Sequence, residues 1–157
     1  MTTNPFDIDS PVAGTRFFGR AELISSILHT FDSTSQNAVM IFGLPHIGKT
    51  SFLHEIANRL SGQAYLPVYF ELKDKISLSR EQALESLAMT IAEKAKIPES
   101  GPQIASDANE FQTNFLPKVL EQIAPRRLVL LLDDIDTINK SNIIIYKFPK
   151  DPPIQES

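Results

Sequence analysis

The sequence predicts an α/β fold, a parallel sheet with helices on both of its faces. Three observations predict it. Apolar runs of strand length recur at residues 38–42, 65–72 and 128–132, and the first and last are continuous, as in strands buried on both sides. Segments between them repeat apolar residues at helical spacing. The resulting order, strand–helix–strand–helix–strand with one helix in front, implies parallel strands joined by right-handed crossovers.

Each element has its own signal. Residues 1–18 hold Pro5, Pro11 and Gly14 and read as an extended entry. Leu23, Ile24, Ile27, Leu28 and Phe31 predict one apolar face of a helix over 22–31. The run 38–42, Ala-Val-Met-Ile-Phe, is the first strand. A helix over 50–60 follows, with Phe52, Leu53, Ile56, Ala57 and Leu60 on one side and Gly62 after its end. Residues 65–72 form the second strand, with Pro67 near its start. Ser79 and Gln82 make a capping-box pattern ahead of a helix carrying Leu84, Leu87, Ala88, Ile91 and Ala95. Asp107 and Glu110 mark another helix start, with Phe111, Phe115, Val119 and Ile123 as its apolar positions and a kink or restart expected at Pro117. Residues 128–132 form the third strand, ending at Asp133 and Asp134.

The whole chain of 157 residues suits one domain with a full core, and 42% hydrophobic with 22% charged residues is ordinary for a soluble protein. A net charge of −4 gives no footprint for nucleic acid or an anionic membrane. With no cysteine, disulfides and cysteine-based metal sites are excluded. The start, Met1-Thr2-Thr3-Asn4-Pro5, lacks a signal-peptide pattern, and no apolar run spans a bilayer, so a cytoplasmic location is expected. The expected division is 1–20 as an entry segment, 21–148 as the core and 149–157 as a disordered tail.

Gly43-Leu44-Pro45-His46-Ile47-Gly48-Lys49-Thr50 matches G-x-x-x-x-G-K-T in full, with Ser51 closing the loop. The two glycines permit backbone angles that side chains disfavour. Loop N–H groups then turn inward as an anion nest, and the helix that follows adds its positive dipole end. Lys49 would reach the β- and γ-phosphates as a point charge, and Thr50 would place a hydroxyl on Mg²⁺. His46 reads as a loop residue facing solvent. The chemistry implied is binding of a nucleoside triphosphate, ATP with Mg²⁺; the pattern resembles that of the three-layer P-loop NTPase fold, which is therefore the expected fold.

Arg127-Leu128-Val129-Leu130-Leu131-Leu132-Asp133-Asp134-Ile135-Asp136 supplies the complementary half. A buried strand delivers carboxylates at the edge where α/β sheets bind ligands. Asp133 is the candidate Mg²⁺ ligand, through water, and Asp134 the candidate base that orients the attacking water. Asp136 reads as a solvated turn residue.

The phosphate loop and the acidic strand end resemble the Walker A and Walker B elements of P-loop ATPases in which an acidic residue follows the Mg²⁺-binding aspartate. The entry narrows the resemblance. Asn4-Pro5-Phe6, Pro11-Val12 and Phe17-Phe18-Gly19-Arg20 are similar to the start of AAA+-like domains of the STAND and Orc/Cdc6-like groups. The resemblance implies that Phe18, Gly19 and Arg20 line the base pocket, the alternative being that Phe17 and Phe18 anchor the core and Arg20 is a surface charge. It also implies a strand order of 5-1-4-3-2, with a fourth parallel strand between the acidic strand and the phosphate-loop strand.

Residues 135–141 are too few for the crossover helix that a parallel fourth strand needs before the next apolar run, 142–148. Three readings follow: a truncated ATPase, a reduced protein that seats Ile143-Ile144-Ile145-Tyr146 unconventionally beside the first strand, or an altered reading frame at the end. A missing central strand would expose backbone and apolar surface, so poor stability and weak or absent hydrolysis are expected. The alternative function is a non-catalytic, nucleotide-dependent interaction module, with a protein partner or a second copy as its target. A GTPase is disfavoured because Asn142 stands where the N-K-x-D element needs aspartate. A small-molecule kinase is disfavoured by the lack of an arginine-rich lid.

Overall fold

A computed structural model describes residues 20–33, 38–42, 47–62, 64–75, 77–97, 107–134 and 143–148. The expected tail, 149–157, and most of the entry segment lie outside them.

The helices form where capping and periodicity put them. Helix α1 is Ala21–Ser33, and its Ile24, Ile27 and Phe31 are buried. Leu23, expected on the same face, is 43% exposed, because it sits at the margin of the apolar stripe. Strand β1, Ala38–Ile41, leads to helix α2, Lys49–Leu60, and then to strand β2, Tyr65–Glu71. Helix α3, Arg80–Ala95, opens on a reciprocal capping box: Gln82 N–H donates to Ser79 Oγ at 3.2 Å, and Ser79 N–H to Gln82 Oε1 at 2.9 Å.

A short helix α4, Ala108–Glu110, is capped by Asp107, whose Oδ1 accepts from Glu110 N–H at 2.8 Å. Residues Phe111–Phe115 then wind as a π-helix before helix α5, Leu116–Ile123. Pro117, in the first turn of α5, has no N–H to give. The restart expected there takes the form of this wider turn, in which Leu116 N–H reaches back to Phe111 O. Strand β3 is Arg127–Asp133 and strand β4 is Ile143–Lys147.

The sheet order is β1-β4-β3-β2. β2 and β3 are parallel, whereas β4 is antiparallel to both β3 and β1. This corrects the expectation of a wholly parallel sheet. The order 1-4-3-2 is kept, with the fourth strand reversed. Its direction follows from the connection, which is too short to carry the chain back for a parallel pass. The gap expected beside β1 is therefore filled, because β4 pairs along both edges, from Ala38↔Tyr146 to Ile41↔Ile143 and from Val129↔Lys147 to Leu132↔Ile144.

Alternate residues of β3 serve two cores. Leu128 and Leu130 join Leu66, Val68, Ala88, Ile91, Phe111, Phe115, Val119 and Ile123 under α3 and α5. Val129 and Leu131 join Ile24, Ile27, Phe31, Phe52, Leu53, Ile56 and Leu60 under α1 and α2. β1 was expected to be buried on both faces. Instead Val39 and Ile41 are half-buried against the α1–α2 core, while Met40 is 51% and Phe42 68% exposed. β1 stands at the end of the sheet order, and among the described residues helical cover reaches it from one side only. The buried Lys147 closes β4 against α1, its Nζ donating to Phe31 O at 2.7 Å and lying 5.5 Å over the Phe31 ring. A cation on a carbonyl near the helix C-terminus is the favourable polarity.

Candidate functional site

The start of α2 forms the first half of the site. Gly48 is its N-cap, with φ 85° and ψ 30°, and Phe52 N–H donates to Gly48 O at 3.0 Å. A Cβ built at Gly48 meets nothing within 4 Å among the described residues, and the positive φ is what calls for glycine there. Lys49, Thr50 and Ser51 form the first turn, with Lys49 buried and the other two half-buried. The helix dipole makes this turn a favourable seat for negative charge. Ile47 is 47% exposed on the approach. Gly43, Leu44, Pro45 and His46 lie outside the described residues.

Arg20 ties the entry to this loop. Its guanidinium Nη2 donates to Ile47 O at 2.6 Å, and its own backbone is left-handed at φ 56°. The side chain is exposed apart from that contact. Phe18 and Gly19, expected beside it, lie outside the described residues.

The end of β3 forms the second half. Asp133 is 1% exposed, and both its oxygens are held. Oδ1 accepts from Asp134 N–H at 3.0 Å, and Oδ2 accepts from the Tyr69 hydroxyl at 2.9 Å. Its carbonyl accepts from Leu72 N–H at 3.1 Å, which carries the β2–β3 ladder to the end of the strand. Asp134 leaves the strand in the left-handed region, φ 52°, a conformation that aspartate tolerates better than most residues. Asp133 shares strand parity with Val129 and Leu131, which places it on the α1–α2 side of the sheet.

Pairing sets the spacing. Ile41 faces Ile143, and Leu132 faces Ile144, so the last residues of β1 and β3 reach the same level with β4 between them. Two strand spacings separate them by about 10 Å. Of the expected residues, Asp133 therefore ends β3 at the level where β1 ends, and Thr50 lies in the first turn of the helix that follows β1 in the chain. A stacked pair joins α2 to β2, the strand beside β3. His54, one turn beyond Thr50 on α2, lies with its ring 4.6 Å from that of Tyr69 at 28°. Burial, the hydrogen bond to Asp133 and the charges of Asp133, Glu71 and Asp134 all push the Tyr69 hydroxyl pKa upward, so it remains a donor.

Tyr69 and His54 carried no signal when read along the chain. Alternation with the buried Val68 and Phe70 puts Tyr69 on the α1–α2 face. The partner it finds there depends on the β2–β3 register, Glu71↔Asp133.

The donor set suits a hard divalent cation. A threonine hydroxyl and a carboxylate are oxygen ligands of the kind Mg²⁺ takes, and Mg²⁺ completes its shell with waters and substrate phosphates. Among the described residues no group of three or more His, Cys, Asp or Glu side chains forms a protein cage. The residues thus fit an ion shared with a bound phosphate.

Residues 17–149 match the family model of an ATPase domain predominantly from Archaea. The chain belongs to this family. It is accordingly an ATPase-type, nucleotide-binding P-loop domain. A search of the curated proteins and of the solved structures found no match. Among the described residues no helix of this ATPase domain is long and apolar enough to cross a membrane.

Proposed function

We propose that this domain seats the triphosphate of ATP on the loop from Gly43 to Ser51, within a three-layer core of the AAA+/STAND type. Supporting this reading is one juxtaposition. A left-handed Gly48 opens α2 with Lys49, Thr50 and Ser51 in its first turn, and α2 is stacked through His54 and Tyr69 onto the buried Asp133. Lys49 binds the β- and γ-phosphates, and Thr50 with Asp133 would hold Mg²⁺. When bound, the ion neutralises charge on the phosphate oxygens. Asp134 orients the attacking water; its left-handed backbone breaks from the β3 strand directly after Asp133. Arg20, fixed on Ile47 O, would line the base pocket beside the loop.

Hydrolysis is slow in this reading. β4 reaches the site edge with its first residue, Ile143, and its other end, Lys147, points to the far side of the sheet. A parallel fourth strand would instead deliver its C-terminal end, and a polar side chain, to the phosphate. That reversal favours a nucleotide-controlled interaction module as the working role, located in the cytoplasm.

Equilibrium binding of ATP to the unsubstituted chain and to Lys49→Ala tests the binding step. Loss of about 2–4 kcal/mol of binding is expected from removing a charged phosphate partner. Equal affinities would remove the reading. Asp134→Asn keeps the left-handed preference and the size of the side chain, so a drop in the residual hydrolysis rate at unchanged ATP affinity is expected.

A further inference from the structure

We infer that Tyr69 is a positioning residue for Asp133 and that His54 holds Tyr69 in place, so that the helix bearing Thr50 and the strand bearing Asp133 keep a fixed separation. The inference rests on the reading of Thr50 and Asp133 as the two protein ligands of Mg²⁺.

A carboxylate at a strand end can rotate about its side-chain bonds. Here two donors approach from different elements. Asp134 N–H holds Oδ1 at 3.0 Å, and the Tyr69 hydroxyl holds Oδ2 at 2.9 Å. Together they fix the plane of the group. An ionised carboxylate has roughly four lone-pair positions, so both oxygens keep capacity for a metal-bound water. The Tyr69 ring is in turn clamped. It packs, partly buried, against the α1–α2 core and stacks on His54 at 4.6 Å. Thr50 and His54 are four residues apart on α2 and share its face. The chain of contact therefore runs from the helix that would supply the metal's hydroxyl ligand to the carboxylate that would face it. Outer partners of this kind commonly shift metal affinity by about 10–100-fold when removed.

A purely space-filling tyrosine would behave differently. Phenylalanine fills the same volume, keeps the stack on His54 and loses only the hydroxyl. Tyr69→Phe thus separates positioning from packing.

The test is ATP binding by the full chain, first in EDTA and then as a titration with MgCl₂. For Tyr69→Phe the affinity in EDTA stays within about twofold of the unsubstituted chain, and the MgCl₂ midpoint rises about tenfold. His54→Phe, which keeps a flat ring on Tyr69, leaves the midpoint in place, whereas His54→Ala raises it. Lys49→Ala serves as the separate check, since it loses ATP even in EDTA if the phosphate-loop reading holds. A normal MgCl₂ midpoint in Tyr69→Phe, with Lys49→Ala still defective, overturns the inference and leaves the binding reading intact. If Lys49→Ala binds normally, the underlying reading fails instead.

Discussion

Replacing Gly48 by alanine isolates the backbone cost of the turn that opens α2. Gly48 sits at φ 85°, ψ 30°, and an added Cβ meets no heavy atom of the described residues within 4 Å. No overlap has to be relieved, so the penalty is that of the left-handed conformation itself, about 1–2 kcal/mol for an L residue. Alanine also narrows the unfolded ensemble, which offsets roughly 0.4–1 kcal/mol. The net loss is about 1 kcal/mol, equivalent in a chain of this size to a fall in Tm of about 2–4 °C. Urea denaturation, with the midpoint and slope fitted together, measures it. Asparagine tolerates this region and should lose less than alanine, and β-branched valine should lose more. An alanine variant as stable as the glycine form, or an asparagine variant less stable than alanine, refutes the backbone argument.

Other substitutions test other parts of the fold. Ser79→Ala removes one bond of the capping box that opens α3 and should cost about 1 kcal/mol by the same denaturation. Phe115→Ala empties a fully buried position beside Phe111 and should cost about 3–5 kcal/mol, whereas Met89→Ala, on the exposed side of α3, should stay within about 0.5 kcal/mol. Stability should also depend on pH with two opposite signs. Burial, and then the hydrogen bond to Asp32, push the Tyr65 hydroxyl up from 10.0 to about 12. Its contribution is complete below pH 10 and is lost as pH rises toward 12, a fall that Tyr65→Phe should flatten. Lys147 is displaced the other way, lowered from 10.5 chiefly by burial and then by Arg127. The unfolded chain then holds the extra proton, so this group makes stability rise as pH climbs to 10.5, and Lys147→Met should abolish that rise.

Much of this was legible along the chain because it is local. Ser79 with Gln82 announces a helix start through bonds three residues apart, and the structure contains both bonds. Asp107 does the same for Glu110. Ile24, Ile27 and Phe31, or Phe52, Leu53 and Ile56, repeat at helical spacing and are buried together. Leu23 and Phe42 show where hydrophobicity misleads. Each is apolar, yet burial also needs a neighbour, and none of the described elements covers either of them fully.

The sequence by itself determined the order of elements, the glycine and lysine that open α2, and the acidic end of β3, because each depends on residues within a turn or two of one another. It also forbade a parallel fourth strand, through the length of 135–141. Only the tertiary structure decided what that strand does instead, namely that it runs backward between β1 and β3 and is anchored by Lys147 on Phe31. The same holds for Tyr69 meeting Asp133, residues that are 64 positions apart. Such contacts depend on strand register and on which faces the helices cover. Those are fixed by the simultaneous packing of distant segments, and no short stretch of chain encodes them.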